Sequence, residues 1–107
     1  MAIPNLDAFQ VIADPSRRQI LHFLTKESYN INSLAENFEM SRPAVSKHIS
    51  ILQMAGFITI REIGRERFCT LNQKGFVELR NWINYFDGFW TSKLRKLETT
   101  LNKKTKN

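Results

Sequence analysis

From Gln73 to Leu101 apolar residues return every three or four positions, at Phe76, Leu79, Trp82, Ile83, Phe86, Trp90, Leu94, Leu97 and Leu101. That period marks one face of an α-helix. At 1.5 Å per residue the helix would be about 44 Å long, more than the diameter of a domain made from a 107-residue chain. Its far end must pack against something outside its own core, and a small, marginal core makes self-association a natural supplement. Gly88 sits mid-way, where a kink or a break would fall, because glycine costs about 1 kcal/mol there relative to alanine.

The residues before this stripe divide at clear punctuation. Leu6, Phe9, Val11, Ile12 and Ala13 form a short helical pattern that stops before Asp14-Pro15. There Asp14 suits an N-cap and Pro15 the first turn of a second helix reaching about Lys26. Ile20, Leu21, Phe23 and Leu24 would face inward from it. A third helix, about Ile31 to Phe38 and capped by Asn30, turns Ile31, Leu34, Ala35 and Phe38 inward. Ser41 opens the fourth, with Pro43 in its first turn and Gly56 at its end. Val45, Ile49 and Leu52 fall on its inner side, and Arg42, Ser46, Lys47 and Ser50 on its outer side.

After Gly56 the period changes from 3.6 to 2. Phe57 to Ile63 is rich in β-branched residues, Gly64-Arg65-Glu66 turns, and Arg67 to Leu71 returns as the second strand of a hairpin. The order helix, helix, helix, helix, strand, strand, helix predicts a mainly α fold with a β-hairpin wing, the winged helix-turn-helix, covering residues 1–101 as one domain. Residues 102–107, with Lys103, Lys104 and Lys106, read as a basic disordered tail.

The chain has a formal net charge of +6. Residues 41–71 supply +3 of it, five basic residues (Arg42, Lys47, Arg61, Arg65, Arg67) against Glu62 and Glu66. A basic excess interleaved with an ordered apolar pattern points to a polyanionic partner. Cys69 is the single cysteine, so a disulfide or a thiolate zinc cluster within one chain is excluded. No apolar stretch approaches the roughly 20 residues that cross a bilayer, and Met1 to Gln10 lacks the basic start and apolar run of a secretory signal. The expectation is a cytoplasmic protein without membrane partner, cofactor or metal. With no nucleophile–base pair, no paired carboxylates and no glycine-rich phosphate loop, it is not expected to be an enzyme.

Two strings sharpen this. Ile12-Ala13-Asp14-Pro15-Ser16-Arg17-Arg18-Gln19-Ile20-Leu21 resembles the opening helix pair of the ArsR/SmtB family of winged-helix transcriptional regulators. Ser41-Arg42-Pro43-Ala44-Val45-Ser46-Lys47-His48-Ile49 resembles that family's recognition helix, and Leu52, then Ala55-Gly56-Phe57-Ile58, its exit into the wing. The resemblance covers roughly residues 7–101. It implies a homodimer held by the first and last helices, with two recognition helices in successive major grooves of a pseudo-palindromic operator, and repression by occluding a promoter. The family's metal ligands do not carry over: Asn32 to Asn37 holds no Cys-x-Cys pair, and the last helix holds no histidine. The chain is therefore placed in the non-metal-sensing subgroup, with its effector unknown.

The residues expected at DNA are Ser41, Arg42, Pro43, Ser46, Lys47 and His48 on the fourth helix, Arg61, Arg65 and Arg67 on the wing, and Arg17 and Arg18 on the second helix. Short side chains let a helix backbone approach the major groove, Arg42 can read guanine, and Lys47 and Arg65 can meet phosphate. The alternatives are a merely solvated helix face and a solubilising hairpin edge. One of Arg17 and Arg18 can pair with Asp14, and His48 can be a packing residue. The dimer contacts expected are Leu6, Phe9, Trp82, Phe86, Phe89, Trp90, Leu94, Leu97 and Leu101. Cys69 reads as a small buried hydrophobe, with a redox role as the alternative, and the aromatic cluster of the last helix as packing, with an apolar ligand pocket as the alternative. A winged helix serving only protein interaction is the competing function.

Overall fold

The computed structural model describes residues 6–105. Helix α1 (Ala8–Ala13) is opened by Asp7, whose carboxylate accepts from the Gln10 N–H while the Gln10 side chain accepts from the Asp7 N–H, a reciprocal capping box. Asp14 both closes α1 and opens α2 (Pro15–Phe23), accepting from the N–H groups of Ser16 and Arg17 at 2.8 and 3.2 Å. Helix α3 (Ile31–Glu36) is capped by Asn30 and α4 (Arg42–Met54) by Ser41, each side-chain oxygen accepting the N–H of the third residue on. Asp14, Asn30 and Ser41 are the expected caps, Asp7 was not expected, and α2 and α3 stop two or three residues short of the expected ends.

A short strand that the sequence did not announce, β1 (Tyr29–Asn30), precedes α3. It pairs antiparallel with β3 (Glu66–Leu71), which pairs in turn with β2 (Ile58–Ile63), giving the sheet order β1-β3-β2. Two residues are too few to show a period, and pairing alone makes them a strand. Ile63 sits opposite Glu66, leaving Gly64-Arg65 as a two-residue loop. Gly64 has φ +66° and Arg65 a negative φ, the combination of a type II′ turn, whose twist suits a tight hairpin.

The core of this helix-and-wing unit is made by Val11, Ile20, Leu34, Val45, Ile49, Leu52, Phe57, Ile58 and Cys69, all fully or almost fully buried. Helix α4 packs on α2, α3 and β2, so the inner side predicted from Val45, Ile49 and Leu52 is the side that touches the core. Phe23 is only half-buried, stacking with Tyr29 at 4.5 Å and edge-on to Phe38 at 5.7 Å.

Where α4 passes into the wing, Gly56 adopts φ +82° as the helix terminator. A 3-10 turn, Gln73–Phe76, comes back onto this junction. The Gly75 N–H donates to the Gly56 carbonyl at 2.7 Å, the Asn72 N–H to the Phe57 carbonyl at 2.8 Å, and the Phe76 ring meets the Phe57 ring edge-on at 4.8 Å.

Helix α5 (Val77–Thr105) is one continuous helix of 29 residues, unbroken at Gly88. It includes residues 102–105, so the described part of the segment expected as a disordered tail is helical; Lys106 and Asn107 lie outside the described residues. The chain divides into two compact units, one ending at Val77 and one starting at Glu78, where a single domain was expected. The division follows from length, because a helix of about 44 Å outruns what one small core can cover. Along its apolar stripe Trp82, Phe86, Phe89, Trp90, Leu94, Leu97 and Leu101 are each 40–63% exposed.

A β-carbon on Gly75 would lie 2.7 Å from both the Phe57 backbone nitrogen and its ring, and 2.8 Å from the Gly56 carbonyl carbon. Backbone cannot yield as a flexible side chain does, so Gly75→Ala should destabilise the fold by about 3 kcal/mol. Urea denaturation followed by circular dichroism checks this; a midpoint equal to that of the parent protein would refute the close-approach reading.

Candidate nucleic-acid interface

The N-terminal half of α4 and the wing tip form one surface. Arg42 and Ser46 from α4, Arg65, Glu66 and Arg67 from the hairpin, and Asn30, Ile31 and Asn32 from the start of α3 line a cleft of about 170 Å³. Residues 23 positions apart in the chain, Arg42 and Arg65, thus meet across one concavity because β1 ties the start of α3 to the hairpin. Three guanidiniums against one carboxylate make it electropositive, and the N-terminal end of α4 adds its dipole of the same sign. Arg42, Arg65 and Arg67 are exposed, as is Lys47 on the adjacent side of α4. Ser46 is half-buried and short, which lets a nucleic-acid groove come close to the helix backbone.

Other expected contacts lie elsewhere. The register sets Arg67 opposite Glu62, on the face that carries Cys69, whereas Arg61 stands opposite Phe68 on the other face. Arg61 does not line the cleft, although sequence proximity groups the three arginines. Ser41 and Pro43 are exposed, and the Ser41 oxygen accepts the Ala44 N–H at 3.2 Å, leaving its hydroxyl proton available to an outside acceptor. Asn30 and Asn32 were not expected at the site. Locally Asn30 shows only as a cap, and nothing near it in the sequence signals that β1 brings it to the wing.

Arg17 corrects the sequence reading. It is 8% exposed, so its guanidinium cannot meet DNA. Its Nε donates to the Val11 carbonyl at 2.7 Å and Nη2 to the Gln10 carbonyl at 3.3 Å; Nη1 lies 3.4 Å from the His48 Nδ1 and 3.8 Å from the Asp14 carboxylate. A buried cation needs such partners, and the open carbonyls at the end of α1 supply them. Arg18, though exposed, closes the same helix end, donating to the Ile12 and Ala13 carbonyls at 2.6 and 3.0 Å.

His48 is half-buried. Because arginine only donates, a hydrogen bond at this 3.4 Å contact requires Nδ1 to accept, which the neutral ring with hydrogen on Nε2 provides. Burial foremost, with the charges of Arg17 and Lys47, lowers its pKa below 6.5 against the opposing pull of Asp14. For Asp14, burial works upward, but the N–H groups of Arg17 and Ser16 and the Arg17 charge prevail and hold the carboxyl below 3.8.

Among the described residues, no three His, Cys, Asp or Glu side chains are grouped to hold a metal ion, and no helix is long and apolar enough to cross a membrane.

Residues 14–59, from the Asp14 cap to the first wing strand, match the sequence profile of the bacterial regulatory protein, arsR family. The HTH-type transcriptional regulator Rv2034 of Mycobacterium tuberculosis is 36% identical over 87 residues, covering 81% of this chain and 78% of that protein. The chain belongs to the ArsR family. The transcriptional repressor SdpR of Bacillus subtilis is 32% identical to this ArsR-family protein over 80 residues, covering 75% of this chain and 89% of the repressor. A crystal structure of an ArsR family transcriptional regulator superposes with a TM-score of 0.71 at 33% identity, covering 79% of this chain and 88% of that one. A possible transcriptional regulator for arsenical resistance gives 0.68 at 38% identity, covering 90% and 97%. This family is one of winged helix-turn-helix DNA-binding transcriptional regulators, the fold and function class expected from the sequence, with α3 and α4 as the two helices of the motif.

In this family member Cys69 lies fully buried in the wing, and burial pushes its thiol up to about 11 despite the Arg67 charge. Against an ordinary thiol near 9.0, the thiolate population at pH 8 falls by about two orders of magnitude. Iodoacetamide should therefore label the native protein at least about 100-fold more slowly than the denatured chain. Equal rates would mean that the wing opens and that Cys69 is available as a sensor.

Proposed function

We propose that this ArsR-family regulator is a non-enzymatic, cytoplasmic repressor that binds a pseudo-palindromic operator as a homodimer. The observation that carries the reading is the shared cleft. Arg42 and Ser46 from the recognition helix and Arg65 and Arg67 from the wing face one concavity, suited to a duplex backbone passing between a major groove held by α4 and an adjacent minor groove met by the wing. Ile31 is its one apolar lining residue. A protein-interaction module would instead present an apolar surface there. Arg42 is assigned to a base edge, Ser46 to a base edge or phosphate, and Lys47, Arg65 and Arg67 to phosphates; Ser41 and Pro43 set the helix start against the backbone, with Arg61 and Arg18 as outlying charges.

The apolar stripe of α5 supports the dimer. Trp82, Phe86, Phe89, Trp90, Leu94, Leu97 and Leu101 follow helical spacing over a length no single small core covers, and a second copy offers an identical, self-complementary stripe. Leu6 and Phe9, both half-buried at α1, are assigned to contacts between the two copies in their own right. Repression is supported by the similarity to a named transcriptional repressor.

On a duplex recovered by genomic capture, affinity should fall by about 10³-fold or more between 50 and 200 mM salt, as for a complex neutralising several phosphates per subunit. A flat response would overturn the reading. Arg42→Ala should lose more affinity for that duplex than for random DNA, by about tenfold or more, while Arg65→Ala should lose both alike. Equal losses on both duplexes from both variants would contradict the division between base and phosphate contacts.

The pair Leu94→Glu and Leu97→Glu would place unpaired charge in the interface and should leave a folded monomer by sedimentation at micromolar protein. Its affinity for the full operator should drop by about 100-fold, because the second half-site loses its effective concentration. A stable dimer in this variant would show the interface to be elsewhere.

A further inference from the structure

The Arg17 guanidinium joins three elements that the sequence keeps apart. It holds the last carbonyls of α1 through Val11 and Gln10, the α1–α2 junction through Asp14, and α4 through His48. His48 directly follows Lys47 and stands two residues after Ser46, both assigned to DNA, so a rotation of α4 about its axis moves all three together. The remaining packing of α4 is apolar, through Val45, Ile49, Ile51 and Leu52. Apolar contacts fix depth well and rotation poorly, because dispersion has little directionality. A forked, planar donor anchored at two carbonyls and directed at a ring nitrogen is directional.

We propose that Arg17 is a positioning residue for DNA recognition: through His48 it sets the rotational placement of the recognition helix and couples it to helix α1. The proposal rests on α4 being the DNA-reading helix.

The link works only while His48 accepts. Protonation puts a hydrogen on Nδ1 and a positive charge against a guanidinium that cannot lose its own. The charged groups acting on His48 are Arg17 and Asp14 at α2 and Lys47 on its own helix. Asp14 favours the proton, while burial, Arg17 and Lys47 oppose it, so the ring stays neutral until the pH falls below 6.5. A group whose pKa is lowered on folding contributes its link fully above its ordinary value and loses it as pH falls through the lowered one. Operator affinity should therefore decrease in acid. This sign is diagnostic, because an added positive charge acting only through long-range attraction would strengthen binding to DNA.

The test uses the full chain, its captured duplex, and the variants His48→Asn and Arg17→Lys. Asparagine keeps an acceptor near the place of Nδ1 and does not titrate; lysine keeps the charge and loses the fork. Between about pH 7.5 and pH 5.5 the parent should lose about tenfold in affinity for the captured duplex relative to random DNA, while His48→Asn should keep that ratio within about threefold. His22→Gln controls for the other histidine and should behave as the parent. Arg17→Lys should lose about tenfold in specific affinity at pH 7.5 and no more when combined with His48→Leu, as members of one link do.

Nitrogen NMR of the free parent protein should show His48 neutral with hydrogen on Nε2, titrating below 6.5, and Arg17→Lys should change that titration. The same pH dependence in the parent and His48→Asn, or a His48 titration indifferent to Arg17→Lys, would overturn the proposal. If Arg17→Lys does not fold, His48→Asn decides it alone through the pH ratio. A parent that binds no duplex at any pH would instead overturn the function assigned to α4, and the NMR titration would still decide the link.

Discussion

A single buried guanidinium organises the helix-and-wing unit of this molecule. Arg17 is 8% exposed in a unit whose core is otherwise apolar, and burying a cation is unfavourable unless its donors are satisfied. They are satisfied because α1 ends abruptly at Asp14, leaving carbonyls of Gln10 and Val11 with no helical partner. Asp14 serves both helices and supplies a carboxylate 3.8 Å away. The turn between α1 and α2, the ionisation of Asp14 and the placement of α4 therefore depend on one another. Breaking such a pair by removing one member leaves an uncompensated buried charge, a cost of about 3–5 kcal/mol where the pair is fully desolvated; Asp14, about a third exposed at its side chain, lies below that limit.

The interface is then a matter of register and turn geometry. The two-residue Gly64-Arg65 loop fixes the pairing of β2 with β3, and pairing fixes which face each side chain occupies. One residue of slip of β3 would turn Arg67 to the other face and Cys69 out of the core. The junction at Gly56, Phe57 and Gly75 holds the wing to the end of α4, so the strand that reaches the DNA-facing side is anchored at the far end of the helix beside it.

Much of this was readable in the residues themselves. Caps are local, so Asp14, Asn30 and Ser41 announced three helix starts correctly; apolar period placed Val45, Ile49 and Leu52 in the core, and a change of period at Gly56 marked the wing. What could not be read depends on distant pairing. The strand β1 exists because Tyr29 and Asn30 meet Cys69 and Phe68, and with it Asn30 and Asn32 reach the cleft. Arg17 and Arg18 look alike in sequence, yet helical rotation sends one into the core and the other to the surface. Arginine's charge is a guide to exposure that fails where helix ends offer unpaired carbonyls. The last helix extends further at its C-terminal end than expected for a simple reason: Asn102, Lys103, Lys104 and Thr105 carry no apolar stripe, and helical continuation needs none where a long helix is already formed.

The central claim is that the N-terminal half of α4 and the wing tip act as one DNA-reading surface. Backbone amide NMR of the full chain on titration with its captured duplex tests it most directly. The largest perturbations should fall together on residues 41–48 and 64–67 and on Asn30 and Asn32. Perturbations that spare these and gather at Phe23, Phe38 and the outer face of α2 would contradict it.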